Sequence, residues 1–248
     1  MLLNILLDFQ WHDLLQPQFY IDNGGLWLLL FIVFAETGLF VGFFLPGDSL
    51  LFVAGIFAHE IKTKTNIIKP GLGYQVLQYF GISYPYSYWI DLTLLIVSIS
   101  LMGILGNLVG YWFGKKIGPA MYQWRDTIFF KKRYLQEAHD FADKHGSFAI
   151  VAARFVPFVR TFAPIVAGIV RMDKKHFQFY NVLGSVAWVS TMILGGFFLQ
   201  RWMFNIFHFD LKQHLEIIVL GIVLVTTLPV LFKLFFGKRK KPSEPPAS

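Results

Sequence analysis

Long runs of apolar residues alternate with short polar interruptions, and the interruptions separate clean spans from broken ones. Residues 92–113 (LTLLIVSISLMGILGNLVGYWF), 177–199 (FQFYNVLGSVAWVSTMILGGFFL) and 217–236 (IIVLGIVLVTTLPVLFKLFF) are nearly uninterrupted. Each reaches the ~20 residues a helix needs to cross a bilayer. Lys233, near the end of the third, can extend its ammonium to the interface. Two further apolar regions do not read as simple spans. Region 26–58 is broken at Pro46-Gly47 and carries Glu36 and Asp48, while region 147–170 carries Arg154 and Arg160 among Pro157 and Pro164. An interior proline costs a helix ~3 kcal/mol. Non-helical backbone at membrane depth survives only when buried in protein or lining a wet cavity. Both regions are therefore predicted to be re-entrant or broken helices.

The two broken regions resemble each other. Val53-Ala54-Gly55-Ile56 recurs as Val166-Ala167-Gly168-Ile169 at an offset of 113 residues, and each copy lies upstream of a clean span. Paired interrupted segments in two halves of a chain mark the substrate site of many transporters. The expected fold is thus an all-α integral membrane protein. It has an inverted repeat of two re-entrant or broken helices, about three to four spanning helices and an N-terminal amphipathic helix. In residues 1–25, Leu3, Leu6, Leu7, Trp11, Leu14 and Leu15 recur at helical spacing around Asp8 and Asp13. That pattern suits an interfacial segment or a short packing helix. No basic residue precedes its apolar stretch, which argues against a cleaved leader. The predicted organisation is 1–25 interfacial, 26–236 transmembrane and 237–248 a disordered basic tail.

Composition strengthens this picture. Of 248 residues, 55% are hydrophobic and only 15% charged, against about a quarter charged in soluble domains. The formal charge of +7 comes from basic residues clustered just outside apolar segments. That placement suits the positive-inside rule and anionic lipid rather than nucleic acid. Lys115, Lys116, Arg125, Lys131, Lys132, Arg133 and Lys144 place loop 114–147 in the cytoplasm, and Lys238, Arg239, Lys240 and Lys241 do the same for the C-terminus. Loop 59–91, with Lys62, Lys64 and Lys69, is the exception, lying outside on this topology. The chain has no cysteine, which excludes disulfides, thiolate chemistry and Cys-based zinc sites. His139 and His145 lack a metal-ligand pattern, and no Walker loop is present. No metal, cofactor or enzymatic activity is expected.

The candidate chemistry lies in the buried charges. An Arg, Lys or Asp at mid-membrane costs ~2.5–3.5 kcal/mol on insertion scales. Glu36, Asp48, Arg154 and Arg160 must therefore meet one another, water or a ligand. Arginine binds phosphate through a planar fork of donors and stays charged, so Arg154 and Arg160 suit an anionic headgroup. A partly desolvated carboxylate titrates nearer neutrality, so Glu36 and Asp48 suit proton coupling or gating. An arriving phosphate would displace a carboxylate from an arginine, and the carboxylate would then protonate. The competing reading is two structural ion pairs. Pro46 and Gly47 read as a turn, with Asp48 or Ser49 capping the helix that follows. Pro157 and Pro164 are assigned to shape. Gly168, Gly184, Trp188 and Asn107 are assigned to packing, as are Gly103, Gly106, Gly110 and Gly114.

Together the motifs resemble the DedA membrane proteins, relatives of the eukaryotic VTT-domain proteins. The resemblance rests on E-T-G-L-F at 36–40, L-P-G-D-S-L at 45–50 and G-N-x-x-G-Y-x-x-G at 106–114. R-F-x-P-x-x-R-T-x-x-P-x-x-A-G at 154–168 and G-x-x-x-W at 184–188 complete it, in order, across most of the chain. It implies a multi-pass protein of the bacterial inner membrane with two re-entrant helices. It also implies a role in envelope homeostasis that depends on proton motive force, and movement of undecaprenyl phosphate or phospholipid. The family's functional acids and bases would fall at Glu36, Asp48, Arg154 and Arg160. The expected activity is then a proton-coupled flippase whose partners are anionic lipid phosphates and protons, with a homo-oligomer left open. The alternatives are a proton-coupled cation or drug antiporter and a non-selective scramblase.

Overall fold

A computed structural model describes residues 17–39, 47–58, 60–62, 68–81, 87–121, 148–208 and 211. The framework is helical. Helix α1 (Pro17–Gly38) is followed by α2 (Gly47–Ile56), a short antiparallel pair β1 (Glu60–Lys62) and β2 (Ile68–Pro70), and α3 (Leu72–Tyr79). Then come α4 (Tyr88–Met121), α5 (Phe148–Ala153), α6 (Pro157–Ile169) and α7 (Lys174–Phe207). The strand pair, with Ile61 opposite Lys69, is a small addition to the helices among the described residues. The amphipathic pattern at 3–15, the third expected span at 217–236, Pro46, most of loop 114–147 and the basic tail lie outside the described residues.

Helices α4 and α7 are each 34 residues long and apolar enough to cross a membrane. At 1.5 Å per residue each runs ~50 Å, more than the ~30 Å of a hydrocarbon core. Their outer faces carry large apolar side chains. Val97, Leu101, Leu105, Val109 and Trp112 form a stripe along α4, and Phe179, Leu183, Val186, Phe198 and Trp202 are exposed on α7. Such a surface suits lipid. Asp173 caps α7, its carboxylate accepting from the amides of Lys175 and His176 at 3.0 Å each. The helix closes at His208 in the left-handed conformation.

Helices α2, α5 and α6 are too short to cross alone. The 10 residues of α2 make ~15 Å, the 13 of α6 ~20 Å and the 6 of α5 ~9 Å. Region 26–58 is thus two helices, as its pattern predicts. Region 147–170 is also two, but the break falls at Arg154–Val156, just before Pro157. Pro157 sits in the first turn of α6, where its missing N–H costs nothing. Pro164 lies inside α6 without ending it. Helix α1 is kinked at Gly25 (φ 53°, ψ −143°), where the predicted interfacial segment meets the transmembrane domain.

The short helices pack on the long ones in a crossed manner. Helix α2 lies on α7 and α6 lies on α4, so one short helix of each broken segment packs on the span of the other half. Four glycines make the approach. A methyl at Gly55 would meet the Ile193 carbonyl, and one at Gly196 would meet the Phe52 carbonyl. In the other half, a methyl at Gly168 would meet the Tyr111 carbonyl and one at Gly114 the Ile165 carbonyl. Phe52 and Gly55 stand 113 residues before Ile165 and Gly168, the offset of the V-A-G-I repeat. Leu29, Val33, Leu50, Val53, Leu95, Ile99, Trp188 and Ile193 belong to the main core. A smaller cluster joins Tyr111, Ile150, Ala167 and Phe177, with the Tyr111 and Phe177 rings stacked at 4.5 Å.

Candidate functional site

Glu36 sits near the end of α1, Asp48 in the first turn of α2, Arg154 at the break after α5 and Arg160 in the first turns of α6. All four predicted charges meet at the crossing of the two halves. Their pairing is not the two separate ion pairs of the competing reading. Arg160 takes both acids: Nη2 donates to Glu36 Oε1 and Nη1 to Asp48 Oδ1. Glu36 and Arg160 are buried, and the Asp48 side chain is 12% exposed. Three charged groups on three helices, α1, α2 and α6, thus form one latch. Burial strips water from each charge, so the latch depends on the bonds that replace it.

Asp48, a candidate helix cap in the sequence, lies within the first turn of α2 and turns its carboxylate to other partners. Its Oδ1 also accepts the Trp188 indole N–H at 3.0 Å. The Trp188 ring is fully buried, and the Arg160 guanidinium carbon lies 4.9 Å from the ring centroid. The Arg154 guanidinium lies 5.8 Å from the same centroid. Both fall within the ~6 Å range of cation–π attraction. Trp188, assigned to packing from the sequence, therefore joins the two arginines and one acid. Gly47 permits the closeness of α1 and α2, because a methyl there would fall on the Glu36 carboxylate.

Arg154 is held differently. It is 3% exposed and forms no salt bridge among the described residues. Its Nη2 donates to Asn181 Oδ1 at 2.9 Å and to Ser185 Oγ at 2.7 Å. Asn181 Oδ1 also accepts from Asn107 Nδ2 at 2.6 Å, and Asn181 Nδ2 donates to the Ile104 carbonyl at 3.2 Å. Asn107, assigned to packing from the sequence, hydrogen-bonds across the interface between α4 and α7. Asn181 and Ser185 were not singled out from the sequence. Their signal is spacing: Asn181, Ser185 and Trp188 recur at helical intervals along one face of a long apolar helix.

Several buried polar atoms of the cluster have no hydrogen-bond partner among the described residues: Glu36 Oε2, Arg160 Nε and Asn107 Oδ1. The two positive and two negative charges balance when all are ionised. Protonation of one acid leaves the cluster with a single excess positive charge, carried by the arginines. No group of three or more His, Cys, Asp or Glu among the described residues is arranged to hold a metal ion. Pro164 removes the amide that would bond the Arg160 carbonyl, four residues earlier in α6.

Comparison with known proteins places the chain among membrane proteins. The VTT domain family model matches residues 45–198. Protein DedA of Escherichia coli K12 is 33% identical over 241 residues, covering 96% of each chain. An uncharacterized membrane protein of Mycobacterium leprae is 34% identical, covering 92% of this chain and 90% of its own. Inner membrane protein YqjA of Escherichia coli K12 is 30% identical, covering 87% and 88%. No solved structure matches the chain.

Proposed function

The chain belongs to the DedA family of membrane proteins, and from that premise we propose that it is a flippase for anionic lipid phosphates. Undecaprenyl phosphate or a phospholipid would be carried across the bacterial inner membrane, with the headgroup on Arg154 and Arg160 and the chain left in the bilayer. The observation that carries this reading is the unequal pairing of the arginines: Arg160 holds both acids while Arg154, equally buried, holds none. A neutral four-charge cluster becomes receptive to a monoanion when Glu36 or Asp48 takes up a proton. Anion and proton therefore bind together, which makes transport responsive to proton motive force. The crossed packing of the short helices supports a re-entrant inverted repeat, because none is long enough to cross alone.

An enzymatic role is not proposed, and the inner-membrane location follows the name of the YqjA relative. An antiporter using the acids as a cation site is less well supported, since both acids are already bonded to Arg160. The test is movement of undecaprenyl phosphate in proteoliposomes, with a phospholipid for comparison, with and without an imposed pH gradient. Movement lost in Arg160→Ala, and a gradient response lost in Glu36→Gln, are the expected results. Equal movement of every lipid would make the protein a scramblase, and no movement by folded protein would reject transport.

A further inference from the structure

Arg154 is a buried cation surrounded by neutral acceptors. Asn181 and Ser185 are fully buried, Asn107 is 1% exposed, and all three stand on the long helices α4 and α7. The set is wired in one orientation. Asn181 Nδ2 is spent on the Ile104 carbonyl, which turns Oδ1 toward Arg154. Ser185 donates its hydroxyl proton to the Asn181 carbonyl at 2.7 Å, leaving its oxygen to accept from Arg154. The two Nη2 hydrogens are thereby used. Nη1 and Nε carry three more N–H groups, which these two bonds do not use.

A carboxylate at position 181 or 185 would bond Arg154 more strongly, since charge-assisted hydrogen bonds are about twice as strong as neutral ones. An amide and a hydroxyl fix the guanidinium without cancelling its charge. We propose that Asn181, with Ser185 and Asn107, is a positioning set that holds Arg154 as a preformed oxyanion receptor, separate from the Glu36–Arg160–Asp48 latch. Its ligand class is a phosphate mono- or dianion, free or as a lipid headgroup. Asn107 Oδ1, buried without a donor, is suited to accept from a protonated phosphate oxygen. This deepens the flippase reading by giving the two arginines different tasks. Arg154 receives the anion on a rigid rack, and Arg160 follows only when its acids let go.

The experiment uses the full chain in phosphatidylcholine nanodiscs. One arm titrates inorganic phosphate, followed by phosphorus NMR, and the other includes a minority of phosphatidic acid in the disc. Asn181→Asp, which supplies an internal carboxylate, should weaken phosphate binding by about tenfold or more, with an unchanged or higher melting temperature. Ser185→Ala should weaken it less, with the fold intact. Response in the first arm assigns the site to free phosphate, and response in the second alone assigns it to the lipid. Binding by Asn181→Asp equal to the parent, or absent from the parent in both arms, overturns the proposal. If Asn181→Asp does not fold, unaltered binding by Ser185→Ala overturns it. Asn181-dependent binding without lipid movement would reject the flippase while keeping the receptor. Lipid movement undisturbed in Asn181→Asp would do the reverse.

Discussion

Trp188 donates its indole N–H to Asp48 across 140 residues of chain, at 3.0 Å. The same ring receives Arg160 on its face. One side chain of α7 therefore holds both an acid of the first half and a base of the second.

Trp188→Phe keeps a ring for Arg160 and removes the N–H. It should cost ~1.5–3 kcal/mol, the net worth of one hydrogen bond to a charged group. Trp188→Leu removes the cation–π contact as well and should cost at least ~0.5–2 kcal/mol more. Thermal melts in detergent, with lipid movement measured on the same preparations, check the order. Equal melting temperatures for the two variants would mean that the ring face contributes nothing.

Arg160→Ala strands two buried carboxylates and should destabilise by about 3–5 kcal/mol. Combining it with Glu36→Gln and Asp48→Asn removes the stranded charges. The triple variant should regain most of the stability and none of the transport. Denaturant melts and proteoliposome assays on both proteins separate the roles, and recovered transport would reduce the latch to a structural device.

Gly55→Ala and Gly168→Ala should be similarly damaging, since each methyl meets a backbone carbonyl of the opposing long helix. Overpacking of this kind costs ~1–3 kcal/mol. Gly103→Ala is the control, because its methyl would find nothing nearer than 3.9 Å. Melting temperatures of the three variants give the comparison. A tolerated Gly55→Ala beside a damaging Gly168→Ala would break the equivalence of the two halves.

Asp173, outside the membrane at the start of α7, is held below the usual carboxylate range by the His176 amide first, then by the His176 ring and the Lys175 amide. A lowered folded-state pKa means its contribution is fully present above the unfolded value of 3.8 and is lost as pH falls through the folded one. The stability of the parent should therefore fall more steeply below pH ~4 than that of Asp173→Asn, which keeps a cap without the titration. Melting temperatures across that acid range test the difference.

Much of the site is legible in the sequence because hydrocarbon makes charge conspicuous. Glu36, Asp48, Arg154 and Arg160 stand out by insertion cost alone, and all four converge. Their pairing is not legible, because it depends on which short helix crosses which long one. Asn181 and Ser185 were passed over because single polar residues in an apolar span carry little cost and no charge. Trp188 was read as packing because an indole in a membrane helix usually is. The break in region 147–170 was expected at its prolines. It falls instead before Pro157, since a first-turn proline starts a helix, and Pro164 is accommodated inside α6.

The latch also sets a timetable for biogenesis. Glu36 is separated from Arg160 by 124 residues and Asp48 by 112. At a synthesis rate of ~5–20 residues per second, the acids emerge ~6–25 s before the arginine that neutralises them. Helix α2 also waits for α7, its packing surface. During that interval the first half is a charged, unpartnered hairpin, and something other than its own chain, whether interfacial water or the insertion machinery, has to shelter it until the second half arrives.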